Sequence, residues 1–321
     1  TPNVVRGRLI LTDVHRVSQD VYERRVSRAV PRQGDLILAR EAPAGNVAIV
    51  PPGIEVCLGQ RTMLLRPDSS FVVPEYLNYY LNAPEQRDRM LRLANGATVS
   101  HINVADIRNM PVQLPSRGEQ SKVAELLNVL DDKIDLNNRL NDYLEQLVDG
   151  KFQELFGGLN FNATLSDVAE ITMGQSPAGS SYNEEGAGII FYQGRGEFGW
   201  RFPKRRLYTT EPKRLACEGD VLMSVRAPVG DLNVAFENCC IGRGLAAIHS
   251  ETPSFALYLM RFLKPQLEAY NGEGTVFGSI NGKALKSLEV ALPSHNEVMQ
   301  FESFAAPIDA LIRSNENETD R

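Results

Sequence analysis

The chain has 321 residues, 43% of them hydrophobic and 23% charged, with 34 Lys and Arg against 40 Asp and Glu for a formal net charge of -6. Such a length holds two domains of ordinary size, and such a composition belongs to a folded protein, with only the polar tail from Ser314 to Arg321 left as a candidate for disorder. The acidic balance excludes a chain that coats nucleic acid over its whole surface, but it allows local basic faces.

No apolar run approaches the ~18 residues of a membrane span. The opening TPNVVRGRL has no signal-peptide pattern, so a cytoplasmic protein without membrane contact is expected. Cys57, Cys217, Cys239 and Cys240 lack metal-ligand spacing and a nearby histidine pair, so they read as buried free thiols rather than a zinc site or a disulfide framework.

Taken in order, the chain contains two copies of one unit. Gly34-Asp35 begins an apolar run, followed by Ala42-Pro43-x-Gly45 and a second apolar run from Val47 to Val50. Gly219-Asp220, Ala227-Pro228-x-Gly230 and Leu232 to Phe236 repeat that order. Each pair of runs reads as two short strands joined through a Pro-x-Gly turn. Downstream, Cys57-Leu58-Gly59 matches Cys240-Ile241-Gly242, Thr98-Val99 matches Thr275-Val276, and Ile102-Asn103 matches Ile280-Asn281. A helix is expected from Pro74 to Leu93 and another from Ser254 to Tyr270. Loops carrying Gly96, or Gly272, Gly274 and Gly278, come next, then strands ending in Leu114-Pro115-Ser116 and Leu292-Pro293-Ser294, whose serines can cap a helix start.

After each Leu-Pro-Ser comes a helix. Glu119 to Phe156 contains no proline and, among its glycines, only Gly150. Leu126, Leu130, Ile134, Leu140, Leu144, Leu147 and Leu155 fall on one helical stripe. A helix over this range is roughly 55 Å long, more than a compact domain needs, and reads as a rod between two bodies. The competing reading is a core helix of one large domain. The repeat favours the rod, because Glu119, Leu130-Asp131 and Asn137 match Glu297, Ile308-Asp309 and Asn315 of a second, shorter helix. An antiparallel pair is expected between the stripe and the helix carrying Ile308, Leu311 and Ile312. The copies differ at their starts: Gly7 matches Gly194, so the stretch from Thr164 has no partner in the first copy.

Catalytic patterns are missing. Gly278 to Ala284 resembles a phosphate loop, but it is one residue short between its glycines and has alanine where a hydroxyl should hold magnesium. Gly194-Arg195-Gly196 and Gly242-Arg243-Gly244 lack the third glycine of a dinucleotide fingerprint and read as turns. His15, His101, His249 and His295 stand in no recognisable acid-base or metal arrangement, and no base-methylation motif occurs. No catalytic, cofactor-binding or metal-binding residue is assigned.

Basic residues cluster at matching places in the two copies. Arg6, Arg8, Arg24, Arg25 and Arg40 belong to the first cluster, and Arg195, Arg201, Lys204, Arg205, Arg206 and Arg226 to the second. Arginine binds phosphate and reads guanine through paired hydrogen bonds, so two such faces could contact two pieces of DNA. For any single arginine a solvated, salt-bridged surface competes with that reading.

With LPSRGEQSKVAELL from Leu114, LDDKIDLNNRLNDYLEQL from Leu130, the Gly-Asp strand with its Ala-Pro-x-Gly turn in each half, and the two-fold repeat, the sequence closely resembles the specificity subunit of type I restriction-modification systems. The resemblance implies an α+β chain: two repeated, mostly β target-recognition domains, at 1-118 and 157-295, and long antiparallel spacer helices, at 119-156 and 296-321. It implies that each domain reads half of a split, asymmetric target in double-stranded DNA. It also implies two methyltransferase subunits as partners, which carry S-adenosylmethionine, and restriction subunits held through them. The alternatives are a half-active module whose first domain is a protein-interaction platform, and a restriction-methylation fusion that has lost its catalytic part.

Overall fold

The computed structural model describes residues 2–12, 14–94, 101–272 and 278–319, and the chain divides into two units, residues 1–133 and 134–321. The expected match of Thr98-Val99 with Thr275-Val276, and the loop glycines Gly96 and Gly274, lie outside the described residues.

The first unit contains α1 (Gln19–Val26), then β1 (Leu36–Ala39), β2 (Val47–Ile49) and β3 (Thr62–Leu65), an antiparallel sheet in the order β2-β1-β3. Helices α2 (Pro74–Asn82), α3 (Pro84–Arg92) and α4 (Val104–Arg108) follow. The single helix expected from Pro74 to Leu93 is broken at Ala83, whose ψ of 142° is extended. Pro84 forces this, because its ring disfavours a helical residue before it while its own φ suits the first turn of a new helix. Leu36, Leu38 and Val47 pack one face of the sheet against Leu81, Met90 and Ile102, and Ile37, Ala39 and Ala48 pack the other against Val4. Both faces of β1 are thereby buried, which explains its unbroken apolar run.

Helix α5 (Arg117–Phe156) has 40 residues, about 60 Å at the usual rise, and its residues up to Lys133 belong to the first unit. Ser116 caps it: the Glu119 N–H donates to Ser116 Oγ at 3.4 Å while Glu119 Oε2 accepts from the Ser116 N–H at 2.9 Å. These bonds to Ser116 hold the Glu119 carboxyl below the usual carboxylate range. That reciprocal pair satisfies two groups that a helix start leaves open.

The second unit begins with the rest of α5 and continues through β4 (Ala163–Thr164), α6 (Leu165–Val168), β5 (Glu170–Met173), β6 (Tyr182–Asn183), β7 (Ile189–Tyr192), β8 (Tyr208–Thr209) and β9 (Leu215–Ala216). Next come β10 (Val221–Ser224), β11 (Leu232–Val234), β12 (Cys239–Ile241), β13 (Leu245–His249), α7 (Pro253–Phe262), α8 (Lys264–Glu268), α9 (Gly282–Lys286), β14 (Glu289–Val290) and α10 (His295–Thr319). Its sheets run β11-β10-β13-β5, β6-β8-β7-β12-β9 and β14-β4. As in the first unit, the expected long helix after Ser254 is split, here into α7 and α8 beside Pro265.

The repeat is visible strand by strand. Leu36 lies opposite Ile49 and Leu65, and its counterpart Val221 lies opposite Val234 and Ile248. Gly45 and Gly230 sit at φ 84° and 90°, where a side chain would strain the turn. Where the copies diverge, the structure corrects the sequence match. Gly7 O accepts from the Ile49 N–H, whereas it is Arg201 O, not Gly194 O, that accepts from the equivalent Val234 N–H.

The second unit has a fourth strand, β5, beside β13. Among the described residues, nothing equivalent lies beside β3, which is only half-buried. The strand expected before Leu114-Pro115-Ser116 does not form; in the second unit its counterpart β14 pairs with β4, and among the described residues of the first unit no strand stands in the place of β4. The α+β class, the two repeats and the long helix between them in the chain agree with the sequence reading.

Within the second unit α5 and α10 run antiparallel, so the expected pair forms. Asn137 reaches Asn315 O and Glu318, Asn315 Nδ2 donates to Asn141 Oδ1 at 2.8 Å, and Phe152 meets Phe301 with ring centroids 5.3 Å apart. These contacts carry α10 to Thr319, through a tail that polarity alone marks for disorder. The seam, however, is not the leucine stripe. Asn137, Asn141, Val148, Phe152 and Phe156 are buried, with Ile312 from α10, whereas Leu126, Leu130, Leu140 and Leu147 are 63%, 52%, 37% and 54% exposed. Ile134, Leu144, Leu155 and Ile308 are half-buried, and Leu311 is exposed. Two stripes share the helix, and the more polar one is inside.

Candidate nucleic-acid interface

The arginines of the two clusters separate by what surrounds them. In the first unit Arg6, Arg24 and Arg25 are exposed, with Arg24 paired to Asp20 at 3.3 Å and Arg25 donating to Leu58 O at 3.2 Å. Arg40 is half-buried, its guanidinium reaching Gln60 O at 2.9 Å and His101 Nε2 at 3.3 Å. In the second unit Arg195, Lys204, Arg205, Arg206 and Arg226 are all exposed. Arg195 pairs with Asp231, Arg206 with Glu197 at 3.3 Å, and Arg205 with Glu237 at 2.6 Å while lying over the Phe236 ring. The pairs exposed on both sides, Arg24–Asp20 and Arg205–Glu237, are worth about 0.2–1 kcal/mol, so those cations can exchange a carboxylate for a phosphate at little cost, whereas Arg206 is paired to the buried Glu197.

Arg201 departs from the expectation of a DNA-facing side chain. It is 4% exposed, and its guanidinium lies 3.0 Å from Glu145 of α5 and 3.2 Å from Asp309 of α10, against Tyr258 of α7. Burial opposes its charge, but Tyr258, Asp309 and Glu145 outweigh that and keep it firmly protonated. Arg261 extends the network, bonding Asp149 at 2.6 Å and Glu145 at 2.8 Å. Arg201 therefore ties both helices of the pair to the β part of the unit.

Arg8 makes a more exposed tie, to α5 alone, in the first unit. It lies 3.5 Å from Asp131 of α5, and the Tyr79 hydroxyl donates to that carboxylate at 2.8 Å. Asp131 and Asp309 are matched positions of the repeat, and Tyr79 and Tyr258 stand equally far past the prolines that open α2 and α7. Each unit thus clamps its spacer helix through an Arg-Tyr-Asp set. The Leu130-Asp131 and Ile308-Asp309 match carried this signal, but its role needed the tyrosines, which no motif marks.

Cys239 and Cys240 are buried, with burial first among the causes pushing the Cys239 thiol up to about 12, but Cys217 is exposed and Cys57 half-buried, against the expectation for all four. Asn281 caps α9 by accepting from the Ala284 N–H at 2.9 Å, so the glycine-lysine stretch opens a helix of only five residues.

Residues 7–146 and 162–320 match the family described as type I restriction modification DNA specificity domain, once for each half. The chain belongs to that family. This specificity subunit is 34% identical over 317 residues to the MjaX type I restriction enzyme specificity subunit of Methanocaldococcus jannaschii, covering 90% of this chain and 74% of the relative. The MjaIX specificity subunit of the same organism is 21% identical over 349 residues, covering 95% of this chain and 78% of the other. In fold, the subunit is similar to the crystal structure of the type I restriction-modification S subunit from M. genitalium, with a TM-score of 0.62 at 16% identity over 90% of this chain and 79% of that one. Among its described residues, no helix is long and apolar enough to cross a membrane.

Proposed function

We propose that this specificity subunit reads a bipartite, asymmetric double-stranded DNA sequence, one half with each repeat, and holds the methyltransferase subunits of a type I complex, with the restriction subunits bound through them. The observation that carries the reading is the duplication itself. Two copies of one β unit, each with exposed arginines and each clamped to a spacer helix by the same Arg-Tyr-Asp set, stand on either side of one continuous helix in the chain. The methylation chemistry, with its S-adenosylmethionine, belongs to the partner, and this chain contributes recognition without catalysis.

The exposed leucines of α5 support the scaffolding role. Leu126, Leu130, Leu136, Leu140, Tyr143 and Leu147 leave an apolar stripe in solvent along the helix, which is the kind of surface a partner covers. Leu130→Glu with Leu140→Glu is expected to abolish co-purification with the methyltransferase subunit while leaving thermal melting unchanged.

The reading of DNA is tested by selection from a random DNA library with the assembled methyltransferase. Lys204, Arg205 and Arg206 changed to alanine should relax one half of the recovered sequence, and Arg6, Arg24 and Arg25 changed to alanine the other. Base contacts would cost about 1–3 kcal/mol each at particular positions, whereas phosphate contacts would lower affinity for all sequences and reduce the salt slope by about one per contact. Recovery of an unchanged two-part target by both variants would overturn the assignment of the reading faces. A second reading makes the first unit mainly a protein-interaction platform. In that case the wild-type complex would recover only one specific half-site.

A further inference from the structure

In both units a buried aspartate opens the central strand, and its surroundings can be compared position by position. Asp35 accepts from the Arg32 N–H at 2.8 Å and binds the Arg66 guanidinium through both oxygens, at 2.8 and 2.6 Å. Asp220 accepts from the Cys217 N–H at 2.8 Å, and its other oxygen lies 2.6 Å from His249 Nδ1. Strand register makes the sets equivalent: Leu36 faces Leu65 as Val221 faces Ile248, so His249 stands where the first unit has Arg66, and Cys217 where it has Arg32.

The second unit therefore keeps the buried carboxylate and replaces two arginines with two metal-ligating side chains. One ligand atom each from Cys217, Asp220 and His249 lies within 4.8 Å of the others. Asp220 is 5% exposed, whereas Cys217 and His249 reach solvent, so an ion could enter without opening the core.

We propose that Cys217, Asp220 and His249 form a site for a divalent cation of borderline softness, Zn²⁺ above all, with water completing the coordination. Thiolate, imidazole and carboxylate together select such an ion over magnesium or calcium, which prefer all-oxygen sets. The ion takes the place of the proton at His249 Nδ1, the neutral ring keeping its proton at Nε2, and Cys217 gives up its thiol proton to solvent. It supplies the positive charge that Arg66 supplies in the first unit. The site adjoins Glu218, which holds Arg313 of α10 at 2.7 Å, so a bound ion would stiffen the place where the distal helix is fastened.

The test uses the full chain, freed of metal with a chelator and titrated with Co²⁺ and Zn²⁺. The wild type should bind one Co²⁺ per chain with the thiolate-to-cobalt charge-transfer band of a cysteine ligand, and its melting temperature should rise with Zn²⁺. Cys217→Ser should remove the charge-transfer band. His249→Arg copies the first unit's pairing, so it should fold and melt like the metal-free wild type while losing more than about 100-fold in metal affinity, since even lost support of a ligand costs 10–100-fold. Absence of stoichiometric Co²⁺ binding, or binding that survives His249→Arg or keeps its charge-transfer band in Cys217→Ser, would overturn the proposal.

Discussion

The Tyr258 hydroxyl donates to Asp309 Oδ1 at 3.0 Å, and the same bond, Tyr79 to Asp131 at 2.8 Å, recurs in the first unit. Burial pushes both phenols well above their ordinary range, and the carboxylates add to it, so both hydroxyls stay protonated donors. The arginines that complete the two sets differ in depth, which leads to an asymmetric outcome. Arg201→Ala strips a buried cation from Glu145 and Asp309 and should cost about 3–5 kcal/mol. Arg8→Ala, at a half-exposed pair, should cost less than about 1 kcal/mol. Urea denaturation of the two variants measures both. Equal losses would mean that the clamps do not differ in burial as described.

Asn137 and Asn315 are matched positions of the repeat, and they meet each other in the seam between α5 and α10. Asn315→Leu leaves Asn141 Oδ1 without its 2.8 Å donor and should destabilise the chain by about 1–3 kcal/mol. Asn141→Leu with Asn315→Leu removes both groups together and should recover most of that loss, a non-additivity that a double-mutant cycle detects. Additive losses would place the asparagines outside any shared bond. Polar seam positions commonly fix register, so the leucine variant should also show faster amide exchange in α10.

The Asp35 carboxyl is one source of pH dependence in the first unit. Burial would raise its pKa, but the Arg66 guanidinium and the Arg32 N–H outweigh burial and hold it below the ordinary value of 3.8. The ionised form is thus favoured on folding, so its contribution is present above the unfolded pKa and is lost as pH falls through the folded one. Arg66→Met should cost roughly 1–2 kcal/mol near neutral pH, discounted for the exposure of Arg66, and should move the onset of acid unfolding upward in pH. Acid titration of tertiary structure, wild type against variant, is the measurement. An unmoved midpoint would remove Arg66 as the cause.

Gly230 has φ 90°, and an added Cβ would stand 2.8 Å from Leu267 Cβ. Gly230→Ala combines a strained backbone with a clash against α8 and should cost roughly 2–4 kcal/mol. Gly53, at φ 75° with nothing near an added Cβ, serves as the control for strain alone, at about 1 kcal/mol. Thermal melts that rank the two alike would show that the approach to Leu267 is not limiting.

The sequence by itself determined what repeats in it. The Gly-Asp strand openings, the Ala-Pro-x-Gly turns, the Ser-x-x-Glu helix starts and the unbroken helical period of α5 are local, and their physics acts within a few residues: a φ that glycine tolerates best, a cap that a nearby side-chain oxygen supplies. The duplicated unit and the family were legible on that basis. What only the tertiary structure decided is which surface each side chain meets. A helical stripe of leucines satisfies the rule for burial, yet the helix carries a second stripe, and α10 packs on that one through Asn137, Asn141 and Phe152. A run of arginines likewise satisfies the rule for a basic face, yet Arg201 turns inward because Glu145 and Asp309, 56 and 108 residues away in the chain, meet beside it. Periodicity fixes the direction of a side chain around its own helix or strand, but the partner waiting in that direction comes from distant chain, and only folding brings it there.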